Sequence, residues 1–212
     1  VSHGIVRDAI AKTFGKDAKD VEHVWNLSGD YGKVAEMARL GKLKADIEVF
    51  APIRVMLADR AGDLKEALDA FEKPACEIKY DGLRLQLHKD SDKIKLFSRR
   101  LDEITVQFPE IVKWAKQDIK AKSCIIEGEV LAIDENGKPF PFQFLSRRIQ
   151  RKYDIERMIK EIPVQCNLFD LLYLNGDSFI EKPLRERFER LKRIIDIQKG
   201  KFQIAGHIET KD

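Results

Sequence analysis

The chain has 212 residues, 39 lysines and arginines against 36 aspartates and glutamates, and a formal net charge of +3. With 43% hydrophobic and 35% charged residues it is globular, with room for one domain and part of another. No stretch reaches the roughly 18 apolar residues of a membrane span, the opening Val1-Ser2-His3-Gly4 is not a secretory signal, and so small a net charge does not by itself demand a nucleic-acid partner.

Residues 1–48 read as helical. Val6, Ile10 and Phe14 recur at four-residue spacing within Gly4–Phe14, and Gly15 can end that helix. Asp20–Asn26 and Tyr31–Leu43 read as two further helices, and Pro52 marks a linker near Asp46–Ile53. After Lys73-Pro74 the period changes to two. Ala75–Tyr80, Leu83–Lys89 and Lys93–Ser98 read as strands, the second with clean alternation. Pro109 opens a helix to about Ile119, and Ser123–Ile133 is a strand closed by the turn Glu135-Asn136-Gly137. Asp154–Glu161 is a short helix, and Val164–Leu174 a strand before Asn175-Gly176. Pro183 opens a helix with Leu184, Phe188, Leu191 and Ile195 on one face, and Phe202–Ile208 is a last strand. Strands in hairpins with interspersed helices predict an α+β fold with antiparallel sheets. Cys76, Cys124 and Cys166 lie in strand-like runs without zinc spacing and fit a reducing compartment.

Four segments carry chemistry-bearing side chains. In Glu77-Ile78-Lys79-Tyr80-Asp81-Gly82-Leu83-Arg84, a lysine at the end of an apolar strand must be paired or lose its proton, and a deprotonated lysine is a nucleophile. Gly82 would let the backbone approach a ligand, and Arg84 would hold an anion near the amine. Arg99-Arg100 at a strand end can clamp phosphate, with Asp102 to orient one of them. Glu127 and Glu129, two apart on an apolar strand, point the same way and call for a cation or donors. Phe169 can stack on a purine. Each segment also has a plain structural reading, as a surface hairpin, a salt bridge, an edge strand or core. Arg147-Arg148 with Arg151-Lys152, and the basic run 182–201, are solvated faces unless nucleic acid meets them.

Taken together, these segments resemble the ATP-dependent DNA ligases of the archaeal and eukaryotic replicative type. Lys79-Tyr80-Asp81-Gly82-Leu83-Arg84 matches the family's K-x-D-G-x-R, and Phe97-Ser98-Arg99-Arg100, Glu127-Gly128-Glu129 and Phe169-Asp170-Leu171-Leu172-Tyr173 match its next motifs in order. Glu22–Asp30 and Pro52–Ala58 resemble the end of its helical DNA-binding domain and the lead-in to its adenylation domain. The resemblance implies a helical DNA-binding remnant over 1–48 and, over 49–212, an incomplete nucleotidyltransferase (ATP-grasp-like) adenylation domain. The family's later E-G-x-x-x-K and K-x-K elements and its OB-fold domain are not among these residues, so a fragment is expected that alone forms lysyl-AMP poorly and does not seal nicks.

By the same resemblance Lys79 takes AMP from ATP and Glu77 meets the adenine amino group. Arg84 and Glu129 hold the ribose, with Glu129 also facing Mg²⁺ or Mn²⁺. Arg99 holds a phosphate and Phe169 stacks on adenine. Nicked duplex DNA is the implied partner, with Arg147 and Arg148 as phosphate contacts and a sliding clamp reached through a region not present here. No membrane partner is expected. The chain is expected to be a monomer, cytoplasmic beside the nucleoid in an archaeon or nuclear in a eukaryote. An RNA ligase, an mRNA capping nucleotidyltransferase and a non-catalytic nucleic-acid-binding module are the alternatives that these residues leave open.

Overall fold

The computed structural model describes residues 2–55, 58–151 and 153–210. Val1, Met56 and Leu57 of the Pro52–Ala58 segment, Lys152 of the basic cluster, and Lys211-Asp212 lie outside the described residues. The chain forms two compact units, residues 1–56 and 57–212.

The first unit holds three helices: α1 (His3–Phe14), α2 (Ala18–Ser28) and α3 (Tyr31–Arg39). Their ends follow local chemistry. Gly15 and Gly29 close α1 and α2 in the left-handed conformation, and the Asp17 and Asp30 carboxylates cap the next helices by accepting from Lys19 N and Gly32 N, each at 2.7 Å. Helix α3 stops at Arg39, ahead of Gly41 and short of the expected Leu43. Ile10, Ala11, Val21, Val24, Val34 and Ala38 form the buried centre of the unit.

The second unit is α+β, with strands that are antiparallel but for one pair. After α4 (Leu64–Asp69) come β1 (Ala75–Glu77), β2 (Leu83–Asp90), β3 (Lys93–Ser98), α5 (Pro109–Asp118) and β4 (Ser123–Ala132). Then follow α6 (Phe142–Ile149), α7 (Ile155–Glu161), β5 (Val164–Leu174), β6 (Asp177–Ser178), α8 (Leu184–Ile194), β7 (Phe202–Ile204) and β8 (His207–Glu209). The larger sheet has the order β3-β2-β4-β5-β6, with β7 added parallel to β5; β1 and β8 make a separate two-stranded sheet. The expected last strand is thus two strands in different sheets, broken at Ala205-Gly206.

Alternation along β2 decides its faces. Leu83, Leu85 and Leu87 enter the main core with Ile126 and Val130 of β4, Leu168 of β5, and Ile111 and Leu191 of the covering helices. Arg84, Gln86 and His88 point to the other face. Registers place Gln86 opposite Glu127 and Arg84 opposite Glu129. Two glycines permit this closeness. A Cβ on Gly82 would stand 2.3 Å from the Val130 carbonyl oxygen, and one on Gly128 3.0 Å from that of Asn167. The missing side chain of Gly82 therefore serves its packing against β4.

Candidate active site

Strand β1 ends at Glu77, because β8 offers it only three residues to pair with. Lys79 therefore does not sit on a buried strand end. It is exposed in the connection to β2, and its Nζ donates to the Tyr80 carbonyl at 3.2 Å. The expected burial of the amine is corrected on that point.

The connection nevertheless delivers Lys79 to a cleft of about 170 Å³. Glu77, Ile78, Lys79, Tyr80, Arg84 and Glu129 line it, with Phe169 and Ala205. Five side chains singled out in the sequence, from β1, the β1–β2 connection, β2, β4 and β5, are thus gathered in one place. Arg99 is not among the lining residues. It is exposed in the turn after β3, where Ser98 holds the loop by accepting from Asp102 N at 3.3 Å. Among the described residues Asp102 makes no ion pair with either arginine; its carboxylate accepts from Ser98 Oγ at 3.5 Å.

The two carboxylates of β4 differ. Glu127 is buried, accepts from Arg84 Nε on one oxygen and from Gln86 Nε2 at 2.6 Å on the other. Burial pushes its pKa up, while Arg84 and Gln86 pull it back. Glu129 is half-buried and faces the cleft; burial raises its pKa too, against the pull of Arg84 and Lys79. Arg84 pairs with Glu127 and lies over the aromatic ring, its guanidinium carbon 4.5 Å from the Phe169 ring centre. The cleft thus combines a lysine amine, a cation, a carboxylate and a half-exposed aromatic ring, a set suited to holding a nucleotide.

Arg148 does not belong to any exposed surface. It is fully buried, donates to the carbonyls of Gln107 (3.1 and 3.0 Å) and Ile162 (3.0 Å), pairs with Glu110, and lies 4.7 Å from the Phe108 ring centre. Its expected contact with DNA is corrected, because its guanidinium is used inside the fold. Arg147, the next residue on α6, is exposed.

Several neighbours of the cleft carry no motif. His207 of β8 lies 3.5 Å from Glu77 and stacks on Phe188 at 4.3 Å, and Ala205 closes the cleft wall. Gln86 and His88 stand behind Glu127. Their signal was the alternation itself, polar at every second position of an otherwise leucine-rich strand.

Comparison with known proteins gives the family. The family profile described as "ATP dependent DNA ligase domain" matches residues 55–212. A DNA ligase of Thermococcus onnurineus is 45% identical over 216 residues, one of Methanothrix thermoacetophila 44% over 213 residues, and one of Nanoarchaeum equitans 41% over 218 residues. Each match takes in the whole of this chain and 38% of the relative, so the chain spans well under half the length of these proteins. Among the described residues no helix is long and apolar enough to cross a membrane. With its fold, its cleft and these matches taken together, the chain belongs to the ATP-dependent DNA ligase family.

Proposed function

We propose that the cleft carries the nucleotide-charging step of a DNA ligase. Lys79 Nζ attacks the α-phosphorus of ATP; a phosphorus–nitrogen bond forms, the bond to the β-phosphate oxygen breaks, and pyrophosphate leaves as the amine gives up its proton. The AMP then passes to the 5′-phosphate of a nick in duplex DNA, and the 3′-hydroxyl displaces it as the strand closes. Because Lys79 is exposed, desolvation of its amine has to come from the bound nucleotide rather than from the strand.

The remaining assignments follow the cleft outward. Phe169 stacks on adenine and Glu77 meets its amino group. Arg84 and Glu129 hold the ribose, and Arg99 holds a phosphate of the nucleotide or of the DNA end. Among the described residues no group of three metal-ligating side chains occurs. Glu129 would therefore give magnesium or manganese one hard oxygen ligand, with phosphate oxygens and water completing the set. Such an ion, when bound, neutralises phosphate charge. Residues 1–48 act as the end of a helical DNA-binding domain and 49–212 as the adenylation domain, in a monomer that serves replication, repair and recombination wherever the genome is kept. A sliding clamp is a further partner.

The observation that carries this reading is the convergence of Glu77, Lys79, Arg84, Glu129 and Phe169 on one cleft. The test is to incubate the full-length gene product with α-labelled ATP and magnesium. An AMP adduct mapped to Lys79 by mass spectrometry is expected, lost in Lys79→Ala and not formed from GTP. No adduct, or an adduct elsewhere, sinks the reading.

A further inference from the structure

Behind the cleft two side chains, Gln86 and His88, have no role in the chemistry above. They follow Arg84 at every second position of β2 on the same face, and are 3% and 0% exposed. A buried carboxylate such as Glu127 needs donors on both oxygens to stay in place. One donor is the cleft arginine, Arg84 Nε; the other is Gln86 Nε2, at 2.6 Å.

The Gln86 amide is itself held in one orientation. Its Oε1 stands 2.8 Å from His88 Nε2, so that ring nitrogen carries a proton toward it. A flipped amide would turn its oxygen on the carboxylate and its NH₂ on the ring N–H, losing both bonds. The His88 ring is fixed in turn by the edge of Phe97, 4.9 Å between centres. The bonds therefore run in one direction, from His88 to Gln86 to Glu127, with Arg84 meeting Glu127 from the cleft side.

We propose that Gln86 is a positioning residue of the nucleotide cleft: it fixes the Glu127 carboxylate, which fixes the Arg84 guanidinium against Phe169. The proposal rests on the adenylation reading for the meaning of the cleft. The geometry gives it content of its own. Arg84 has a flexible stem and is part-exposed, and only Glu127 and the Phe169 ring set its direction among the described contacts. Without the Gln86 donor, the carboxylate is free to turn toward other partners and the guanidinium is released from its place over the ring. No part of Gln86 lines the cleft, so its effect has to pass through Arg84.

That last point makes the role testable. The full-length gene product, Gln86→Met, Arg84→Ala and the double variant are titrated with α,β-methylene-ATP, which binds but does not transfer AMP. The amount of Lys79 adduct formed from ATP is measured beside each. Gln86→Met should weaken analogue binding roughly tenfold in the unsubstituted background, the worth of one hydrogen bond to a charged group. In the Arg84→Ala background it should change binding by less than about twofold, since coupled residues are not additive. A merely structural role would cost the same in both backgrounds. Should Gln86→Met fail to fold, Gln86→Asn keeps the polar amide, withdraws it by one methylene, and is put through the same cycle. An equal loss in both backgrounds, or no loss in either, overturns the role of Gln86. A missing Lys79 adduct in the unsubstituted protein overturns the adenylation reading instead, while the binding cycle still decides for Gln86.

Discussion

Arg84 and Arg148 have the same company and opposite fates. Each pairs with a glutamate and lies over a phenylalanine, Arg84 with Glu127 and Phe169, Arg148 with Glu110 and Phe108. Arg84 is part-exposed on a cleft wall, and Arg148 is sealed, with two main-chain carbonyls as further acceptors. The sealed arginine satisfies fixed groups of the fold, whereas the open one keeps a cationic face for something that arrives. An arginine–glutamate–phenylalanine set is therefore not a functional signature until its exposure is known.

The largest effect should come from the sealed set. Arg148→Met leaves the Gln107 and Ile162 carbonyls without these donors and Glu110 without its cation. A loss of about 3–5 kcal/mol in denaturant unfolding is expected, the usual outcome of breaking a buried pair. Arg84→Met should cost less, about 1–2 kcal/mol, because Glu127 can take up a proton once its partner is gone and burial already pushes it that way. Equal losses at the two positions would erase the distinction drawn between them.

Gly82→Ala probes how the open set is built. A Cβ 2.3 Å from Val130 O cannot be accommodated without moving the start of β2 from β4. The displaced segment carries Lys79 on one side and Arg84 on the other. Unfolding measurements should show a loss of about 1–3 kcal/mol, typical of overpacking, together with weaker nucleotide binding. A variant that loses stability but binds nucleotide unchanged would separate the packing of β2 from the shape of the cleft.

The row behind the cleft also gives a pH dependence. Burial lowers the His88 pKa from 6.5 to about 3. The unfolded chain binds a proton at this histidine below pH 6.5 and the folded one does not, so stability falls as pH drops and is complete above pH 6.5. Between pH 7 and pH 5 this is about 2 kcal/mol at 1.36 kcal/mol per unit. Urea unfolding at the two pH values should show the slope, and His88→Gln should flatten it.

How much of this was legible follows the range of the interactions. The faces of β2 and β4 could be read because period two is a local property, and with them the shared side of Glu127 and Glu129; that Arg84 meets Glu127 depends on which strands pair, about 40 residues apart. The turns Glu135-Asn136-Gly137 and Asn175-Gly176 are equally local. Helix α4 escaped although Asp63 and Glu66 mark its start, with Asp63 Oδ1 accepting from Glu66 N at 2.8 Å and Glu66 Oε2 from Gly62 N at 2.6 Å. It is six residues long and buries none of them, so no periodicity announces it. The burial expected of Lys79 fails because β1 is as long as its partner allows, and that partner lies about 130 residues on. The break in the final strand has the same origin, since two sheets compete for one apolar run.

Helix α6 shows the limit most sharply, because Arg147 and Arg148 are neighbours that the sequence treats alike. Successive helix residues point about 100° apart, so when Leu145 and Arg148 face the core three residues apart, Arg147 must face away. The carbonyls of Gln107, 41 residues upstream, and of Ile162, with the Glu110 carboxylate, make burying an arginine there feasible. Arg147→Ala should accordingly change stability by less than about 0.5 kcal/mol, as exposed positions do. If Arg147 meets a DNA phosphate in the full-length gene product, the same substitution should reduce the slope of log affinity for nicked duplex against log salt by roughly one, uniformly across sequences. An unchanged slope would leave α6 as a purely structural helix, with one arginine that holds the fold and another that only faces water.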